Sequence, residues 1–285
     1  MSPKKTLFFP LFVLFFILSC SNEKIKTNAQ NRFVITSPEI AEIIAAIDGT
    51  ENIVGITTDC DYPPELQKKN KVGTFGKVDL EKVIKLNPTM VFTSGLEQDY
   101  LTSELQKLKI PVMKIYPQSV AGLITAIRDI GRTVGKTIKA NALADSLEER
   151  INDFILQNVS VIRPKVYVEI YGNPIMSVSS DSFVGEIIEL AGGENIFSEL
   201  PRNYSRIKPE KVIEKNPDII ILTYPGITAR QIKERKGWAN INACKNNKIF
   251  TTNDINPDLI LRASPRIIDG INQLKKIIIG NSDAE

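Results

Sequence analysis

Residues 78–93 (VDLEKVIKLNPTMVFT) and residues 207–222 (IKPEKVIEKNPDIIIL) carry the same pattern. In each segment Glu-Lys-Val-Ile is followed, after two residues, by Asn-Pro and then by an apolar run. Proline disfavours the helical conformation in the residue before it, so each segment predicts a short helix that ends at Asn-Pro and leads into a strand. The sequence therefore contains the same helix and strand unit twice.

The repeat continues upstream of both segments. An EII triplet at residues 42–44, followed by GTENI at residues 49–53, returns as EII at residues 186–188 followed by GGENI at residues 192–196. Self-similarity over this length indicates that one structural unit occurs twice. We therefore predict two homologous lobes.

One loop distinguishes the two lobes. The stretch that joins the two halves of the repeat is 14 residues longer in the first lobe than in the second. The longer loop, residues 57–77, holds Tyr62 and Phe75, and the shorter loop holds Tyr204 and Arg206. Because α/β folds bind ligands at the carboxyl ends of their strands, we expect these side chains to line a binding site.

The remaining patterns alternate strands with helices, as in a parallel α/β protein. We assign residues 32–118 to an N-terminal lobe and residues 161–285 to a C-terminal lobe. Residues 119–160 are helical in pattern, with a break near residues 131–136, and form an interlobe connector. Since a helix resists bending, we expect the lobes to rock by small angles. The predicted strands are 32–36, 53–56, 111–115, 163–171 and 249–251, and the predicted helices outside the repeat are 39–48, 100–109, 182–190, 232–235 and 265–279.

The first 20 residues have the layout of a bacterial lipoprotein signal. Two lysines precede an apolar run at residues 7–18, and Ile-Leu-Ser stands directly before Cys20. The run is too short for a resident membrane helix. We therefore expect a lipoprotein signal peptide at residues 1–19, lipidation of Cys20 and a flexible tether at residues 20–31, with an ordinary signal or an uncleaved anchor as the alternatives. The mature protein would lie in the periplasm or on the cell surface, anchored to a membrane by its lipid.

Composition excludes several classes of function. The chain has 285 residues, of which 42% are hydrophobic and 24% charged, enough for two modest cores. Removing residues 1–19 takes away two lysines and no acids, so the net charge falls from +3 to +1, which argues against a nucleic-acid partner. The absence of histidine excludes histidine-based metal ligation and Ser-His-Asp or Cys-His catalysis. Cys60 and Cys244 could pair, but we expect free thiols.

Glu81 and Glu210 occupy the same position of the repeated unit. Two carboxylates that face each other across a cleft could act as general acid and base, so an extracellular hydrolase is one hypothesis. A simpler explanation is that each glutamate gains from the helix dipole in the first turn of its helix. The dipole explains less well why both copies keep Glu-Lys-Val-Ile while the neighbouring loops have diverged.

Four motifs together resemble a known family. They are DYPP at residues 61–64, the segment 75–84, GGENIF at residues 192–197 and LRASPR at residues 261–266. From about residue 33 to residue 279 the chain is similar to the helical-backbone solute-binding proteins of importers for cobalamin, iron-siderophores and haem, and above all to the cobalamin binders. The resemblance implies an α/β fold with two Rossmann-like lobes, joined by a single long α-helix, and a ligand cleft between the lobes.

The resemblance also implies a function and its residues. The chain would be a monomeric binding protein, not an enzyme, without metal or cofactor of its own, that delivers cobalamin or a related corrinoid to a permease dimer powered by a cytoplasmic ATPase. Tyr62, Phe75 and Tyr204 match aromatic positions around the corrin, the last two in place of tryptophans. Glu81 and Glu210 match acidic residues that bind arginines of the permease.

Two other cargoes stay open within the same family. An anionic ferric siderophore would need cationic residues in the cleft, for which Arg202, Arg206 and Arg262 are candidates. Haem would need an axial tyrosinate, which Tyr62 or Tyr204 could supply.

Overall fold

The structure, a computed structural model, describes residues 31–157 and 163–280. The predicted signal peptide, Cys20 and nearly all of the tether lie outside the described residues. Within those two ranges, no helix is both long and apolar enough to cross a membrane.

The N-terminal lobe is built around a parallel sheet. The elements of the lobe are β1 (Phe33–Ile35), α1 (Pro38–Ala46), β2 (Ile53–Ile56), β3 (Asn70–Lys71), β4 (Gly73–Thr74), β5 (Lys77–Val78), α2 (Leu80–Lys85), β6 (Met90–Ser94), α3 (Asp99–Lys107) and β7 (Val112–Ile115). Five strands form the sheet in the order β3-β2-β1-β6-β7, and β4 with β5 forms a separate antiparallel hairpin in the long loop. Helices follow β1, β5 and β6.

Two helices make up the connector, α4 (Val120–Thr133) and the longer α5 (Thr137–Gln157), where the resemblance implied a single long helix. They are separated by the predicted break and pack closely, since a Cβ atom added at Gly131 would lie 2.1 Å from the Cβ of Ala140. Arg128 on α4 forms ion pairs of 2.6 and 2.8 Å with two acidic residues of α5. The connector is therefore a stiff helical hairpin.

The C-terminal lobe contains two sheets. The elements are β8 (Lys165–Glu169), β9 (Tyr171–Gly172), β10 (Ile175–Val178), α6 (Phe183–Leu190), β11 (Glu194–Asn195), β12 (Tyr204–Arg206), α7 (Pro209–Lys215), β13 (Ile219–Leu222), α8 (Ala229–Glu234), α9 (Asn242–Lys245), β14 (Ile249–Phe250), α10 (Asp258–Leu261) and α11 (Ile267–Ile278). The parallel sheet has the order β11-β8-β13-β14, and the second, antiparallel sheet has the order β12-β10-β9.

The repeated unit folds as its sequence predicts, and its asparagines have a backbone role. Asn87 and Asn216 follow α2 and α7 with φ angles of 43° and 48°, in the left-handed region that ends a helix. At the other end of α2, the carboxylate of Asp79 accepts a hydrogen bond of 3.1 Å from the N–H of Lys82. The two helices thus end alike at Asn-Pro, but only α2 has a side-chain cap at its start.

The predicted elements outside the repeat are also present, with ends displaced by a few residues. The largest shift is in α8, which begins at Ala229 instead of residue 232. The antiparallel sheet β12-β10-β9 was not predicted.

One core cluster contains buried side chains from both lobes and the connector, including Phe33, Ile127 and Ile267. Cys60 and Cys244 are buried free thiols, as expected.

Candidate functional site

Two arginines of the C-terminal lobe contact carboxylates of the N-terminal lobe. Arg262, just after α10, donates to Glu42 of α1 at 3.1 Å and to Asp61 of the long loop at 2.7 Å. Arg266 donates two hydrogen bonds of 2.8 and 2.6 Å to the same Glu42. Asp258 of α10 completes the group, with one carboxylate oxygen 3.1 Å from Arg262. The DYPP and LRASPR motifs therefore meet at the boundary between the lobes.

Tyr62 belongs to the same contact. The guanidinium of Arg266 lies over its ring, 4.0 Å from the ring centroid. An arginine in this position is attracted by the electron-rich face of the ring. Because 44% of the Tyr62 surface remains exposed, part of the aromatic side chain is open to solvent.

Phe75 lies on a loop whose backbone is held from both sides. Its N–H donates to the carboxylate of Asp59 at 2.7 Å, and its carbonyl accepts from the side-chain amide of Gln98 at 3.0 Å. Gln98 is buried and also hydrogen-bonds Thr36 and Ser94, at the carboxyl ends of β1 and β6. These bonds attach the Phe75 loop to the carboxyl edge of the sheet.

Tyr204 begins strand β12 and faces the N-terminal lobe. Its hydroxyl interacts with that of Tyr116, which follows β7, and the neighbouring Asn203 donates to Gln118 at 3.0 Å. Burial, followed by the effect of Tyr116, raises the pKa of Tyr204 well above its usual range. A tyrosinate at this position is therefore disfavoured.

The structure brings some of the predicted site residues together and leaves others apart. Tyr62 and Arg262 belong to one network, and Tyr204 lies at a second contact between the lobes. Arg206 is exposed and lines a hollow of about 330 Å³ with three lysines of the C-terminal lobe. Arg202 is also exposed. Within the described ranges neither Arg202 nor Arg206 forms an ion pair.

Glu81 and Glu210 both occupy the second position of their helices, α2 and α7, and both are exposed. Neither side chain makes a hydrogen bond or ion pair within the described part of the chain. Glu210 lines a hollow of about 630 Å³, together with Arg235 and Trp238, that is formed only by residues 175–238. Its surroundings therefore come from the C-terminal lobe alone.

Sequence reasoning missed Glu42, Arg266 and Tyr116 as site residues. The repeat indicates a role for Glu42, because this residue corresponds to Glu186 in the second copy. The carboxylate of Glu186 accepts a hydrogen bond of 2.5 Å from the N–H of Val120, where the connector begins. Both copies of this glutamate therefore reach a partner outside their own lobe. Among residues 31–157 and 163–280, no three His, Cys, Asp or Glu side chains converge to hold a metal ion.

A family model described as periplasmic binding protein matches residues 34–255. The chain belongs to this family. Its relatives include the ABC transporter substrate-binding lipoprotein YvrC of Bacillus subtilis, 28% identical over 96% of this chain and 87% of YvrC. The vitamin B12-binding protein of Salmonella typhi is 26% identical over 86% of this chain and 89% of its own length.

A solved structure agrees with this assignment. The structure of a possible iron-binding periplasmic solute-binding protein from Staphylococcus epidermidis matches with a TM-score of 0.76 and 25% identity, over 87% of this chain and 98% of that one. The predicted resemblance and the two-lobed α/β fold are thus confirmed. The family consists of binding proteins that serve transport outside the cytoplasm and work with a permease of the ABC type.

Proposed function

We propose that this chain is an extracytoplasmic lipoprotein that captures cobalamin or a related corrinoid between its lobes and delivers it to an ABC permease. The observation that carries the proposal is the direct contact between the DYPP and LRASPR motifs, in which Arg262 and Arg266 reach Asp61 and Tyr62. Motifs that are 201 positions apart in sequence thereby form one polar and aromatic surface. The relatives named vitamin B12-binding protein support a corrinoid as the cargo.

Aromatic surface is what a large, flat macrocycle requires. Tyr62 and Phe75 come from the N-terminal lobe and Tyr204 from the C-terminal lobe, and each retains some exposure. Ring faces of this kind contribute large contact areas at little cost in conformational entropy. Binding would therefore depend mainly on stacking and van der Waals contact, with polar groups fixing the orientation.

Titration calorimetry with cyanocobalamin tests the proposal. We expect binding at micromolar concentration or below, and an affinity at least tenfold lower for Tyr62→Ala. Ile138→Ala is the control, because Ile138 is an apolar residue of the connector helix α5 with 87% of its surface exposed, and it should leave the affinity unchanged. A wild-type protein that does not bind the corrinoid at micromolar concentration would refute the assignment.

A ferric siderophore is the second candidate, favoured by the similarity to the possible iron-binding protein and by the exposed Arg206. Titration with ferric siderophores decides between the two cargoes. Haem is a third candidate. Because the raised pKa of Tyr204 opposes a tyrosinate there, the exposed Tyr62 would bind the iron. A shift of the Soret band on haem addition that Tyr62→Ala abolishes would support haem as the cargo.

Delivery would use Glu81 and Glu210, one on each lobe. Carboxylates in equivalent positions suit a permease dimer that presents the same arginines twice, since a carboxylate and a guanidinium can form a bidentate contact. The proposed complex includes a cytoplasmic ATPase and one copy of this chain, attached to the membrane through Cys20. Metabolic labelling with a fatty acid should mark the wild type and not Cys20→Ala.

A further inference from the structure

The two arginines at the lobe boundary are outnumbered by the carboxylates around them. Arg262 lies within 3.1 Å of three carboxylates, those of Glu42, Asp61 and Asp258. Arg266 shares Glu42 with it, at 2.6 Å. Three negative charges therefore surround two positive charges, and neither guanidinium is left without a counter-charge.

Burial makes this neutralisation effective. The side chain of Arg262 is 13% exposed and that of Glu42 is 2% exposed, so water screens their interaction only weakly. An anionic group of a ligand that approached Arg262 would meet these three carboxylates at short range. Like charges at such distances repel each other.

Asp61 is the most exposed carboxylate of the group. Its side chain is 44% exposed, compared with 38% for Asp258 and 2% for Glu42. One of its oxygens accepts from Arg262, and an ionised carboxylate has about four acceptor positions in all. The free positions suit an N–H donor such as an uncharged amide or an ammonium group.

We infer that Asp61 is a specificity-determining residue that rejects anionic groups, so that the ligand presents an uncharged amide or a cationic group at this end of the site. This inference rests on the proposed function and narrows the class of cargo. A corrinoid has uncharged amide side chains, whereas ferric siderophores and haem are commonly anionic. The arginines of the LRASPR motif thus do not make an anion-binding site.

A series of corrinoids of equal size and different charge tests the inference. Cyanocobalamin is uncharged, aquacobalamin is cationic, and hydrolysis of one side-chain amide gives an anionic monocarboxylate. We expect the wild type to bind the monocarboxylate at least tenfold more weakly than cyanocobalamin, and to bind aquacobalamin at least as tightly. In Asp61→Asn the difference between monocarboxylate and cyanocobalamin should shrink to about threefold.

Glu65→Gln is the matched control, because it removes one exposed negative charge from the same loop without touching Arg262. Glu65→Gln should keep the wild-type preference for cyanocobalamin over the monocarboxylate. Asp258→Asn removes a second carboxylate from Arg262 and should act in the same direction as Asp61→Asn. Equal affinity of the wild type for the anionic and uncharged corrinoids would overturn the inference, as would unchanged discrimination in both aspartate variants.

A second measurement separates this inference from the proposed function. If the wild type binds no corrinoid, the proposed cargo is refuted, and citrate then serves as the anionic probe. Citrate should raise the melting temperature of Asp61→Asn and leave that of the wild type and of Glu65→Gln unchanged. Equal stabilisation of all three proteins by citrate would contradict a role for Asp61 in rejecting anions.

Discussion

Arg235 donates two hydrogen bonds of 2.7 Å to Glu169, whose carboxylate is fully buried at the carboxyl end of β8. The hydroxyl of Tyr167 donates a further bond of 2.8 Å to the same carboxylate. The guanidinium also lies 4.6 Å from the ring centroid of Trp238. A buried carboxylate without its counter-charge is costly, so this pair fixes the position of the loop that follows α8.

Arg235→Met should therefore destabilise the protein by about 3 to 5 kcal/mol, because it leaves Glu169 buried without a cation. Arg230→Met is the control, since Arg230 pairs with Glu234 on the exposed face of α8. Loss of an exposed pair should cost less than about 1 kcal/mol. Urea unfolding of the two variants measures both values, and similar small losses would contradict the argument.

The exposed residues Glu81 and Glu210 should act in delivery to the permease and not in binding of the ligand. The double variant Glu81→Ala with Glu210→Ala should bind cyanocobalamin with unchanged affinity and abolish uptake by cells. Glu214→Ala is the control, because Glu214 is an exposed acid of α7 that already pairs with Lys211. A large loss of affinity in the double variant would support the hydrolase or a ligand-binding role instead.

Glu39 and Glu42 lie one turn apart on α1 and should respond to substitution in opposite directions. Burial raises the pKa of Glu39 above its ordinary value of 4.5, so the folded protein binds this proton more tightly than the unfolded chain. The contribution of Glu39 to the free energy of unfolding is fully present below pH 4.5 and is lost as the pH rises through the raised pKa. Glu39→Gln should therefore raise the melting temperature at pH 8 and give no gain at pH 4.

Glu42→Ala is the contrasting variant. Its carboxylate binds both Arg262 and Arg266, so its removal should destabilise the protein by about 3 to 5 kcal/mol at neutral pH. Thermal and urea unfolding of both variants at pH 4 and pH 8 measures the two changes in stability. A loss of stability in Glu39→Gln at pH 8 would show that burial does not dominate at Glu39.

The thiol of Cys60 should be inert in the folded protein. Burial raises its pKa to about 12, so the reactive thiolate is scarce at pH 8. Because the native pKa is raised, the thiol favours folding at pH 8 and this contribution is lost as the pH rises from about 9 to 12. In Cys244→Ser, an aromatic disulfide reagent should label Cys60 only after unfolding. Rapid labelling of the native protein would contradict this.

Most helices and parallel strands could be predicted because their signals are local. The Glu-Lys-Val-Ile repeat, the Asn-Pro helix ends and the break in the connector all act over a few residues. The antiparallel sheet was missed because β9 has only two residues and β12 only three, too few to show an alternating pattern. Short strands depend on their neighbours in space for stability, and sequence alone does not show those neighbours.

The sequence names candidate residues for the site but does not show the contacts between them. Arg262 is by sequence a candidate cation for an anionic siderophore in the cleft, whereas in the structure its guanidinium is bound to Glu42, a residue 220 positions away in sequence. Nothing within a few residues of either one indicates this contact. Glu186, the repeat partner of Glu42, was the available clue that position 42 has a structural role.

The two glutamates of the EII triplets, Glu42 and Glu186, bear on what happens when the chain is cut between the lobes. Glu42 binds the arginines of the other lobe, and Glu186 binds the first N–H of α4. Cutting the chain in the turn between α4 and α5 would leave both polypeptides with apolar side chains of a shared core exposed to water. The lobes look like two domains by sequence, yet they share one apolar core. We therefore expect them to unfold together, and we expect the cut halves to reassociate instead of persisting as separate soluble proteins.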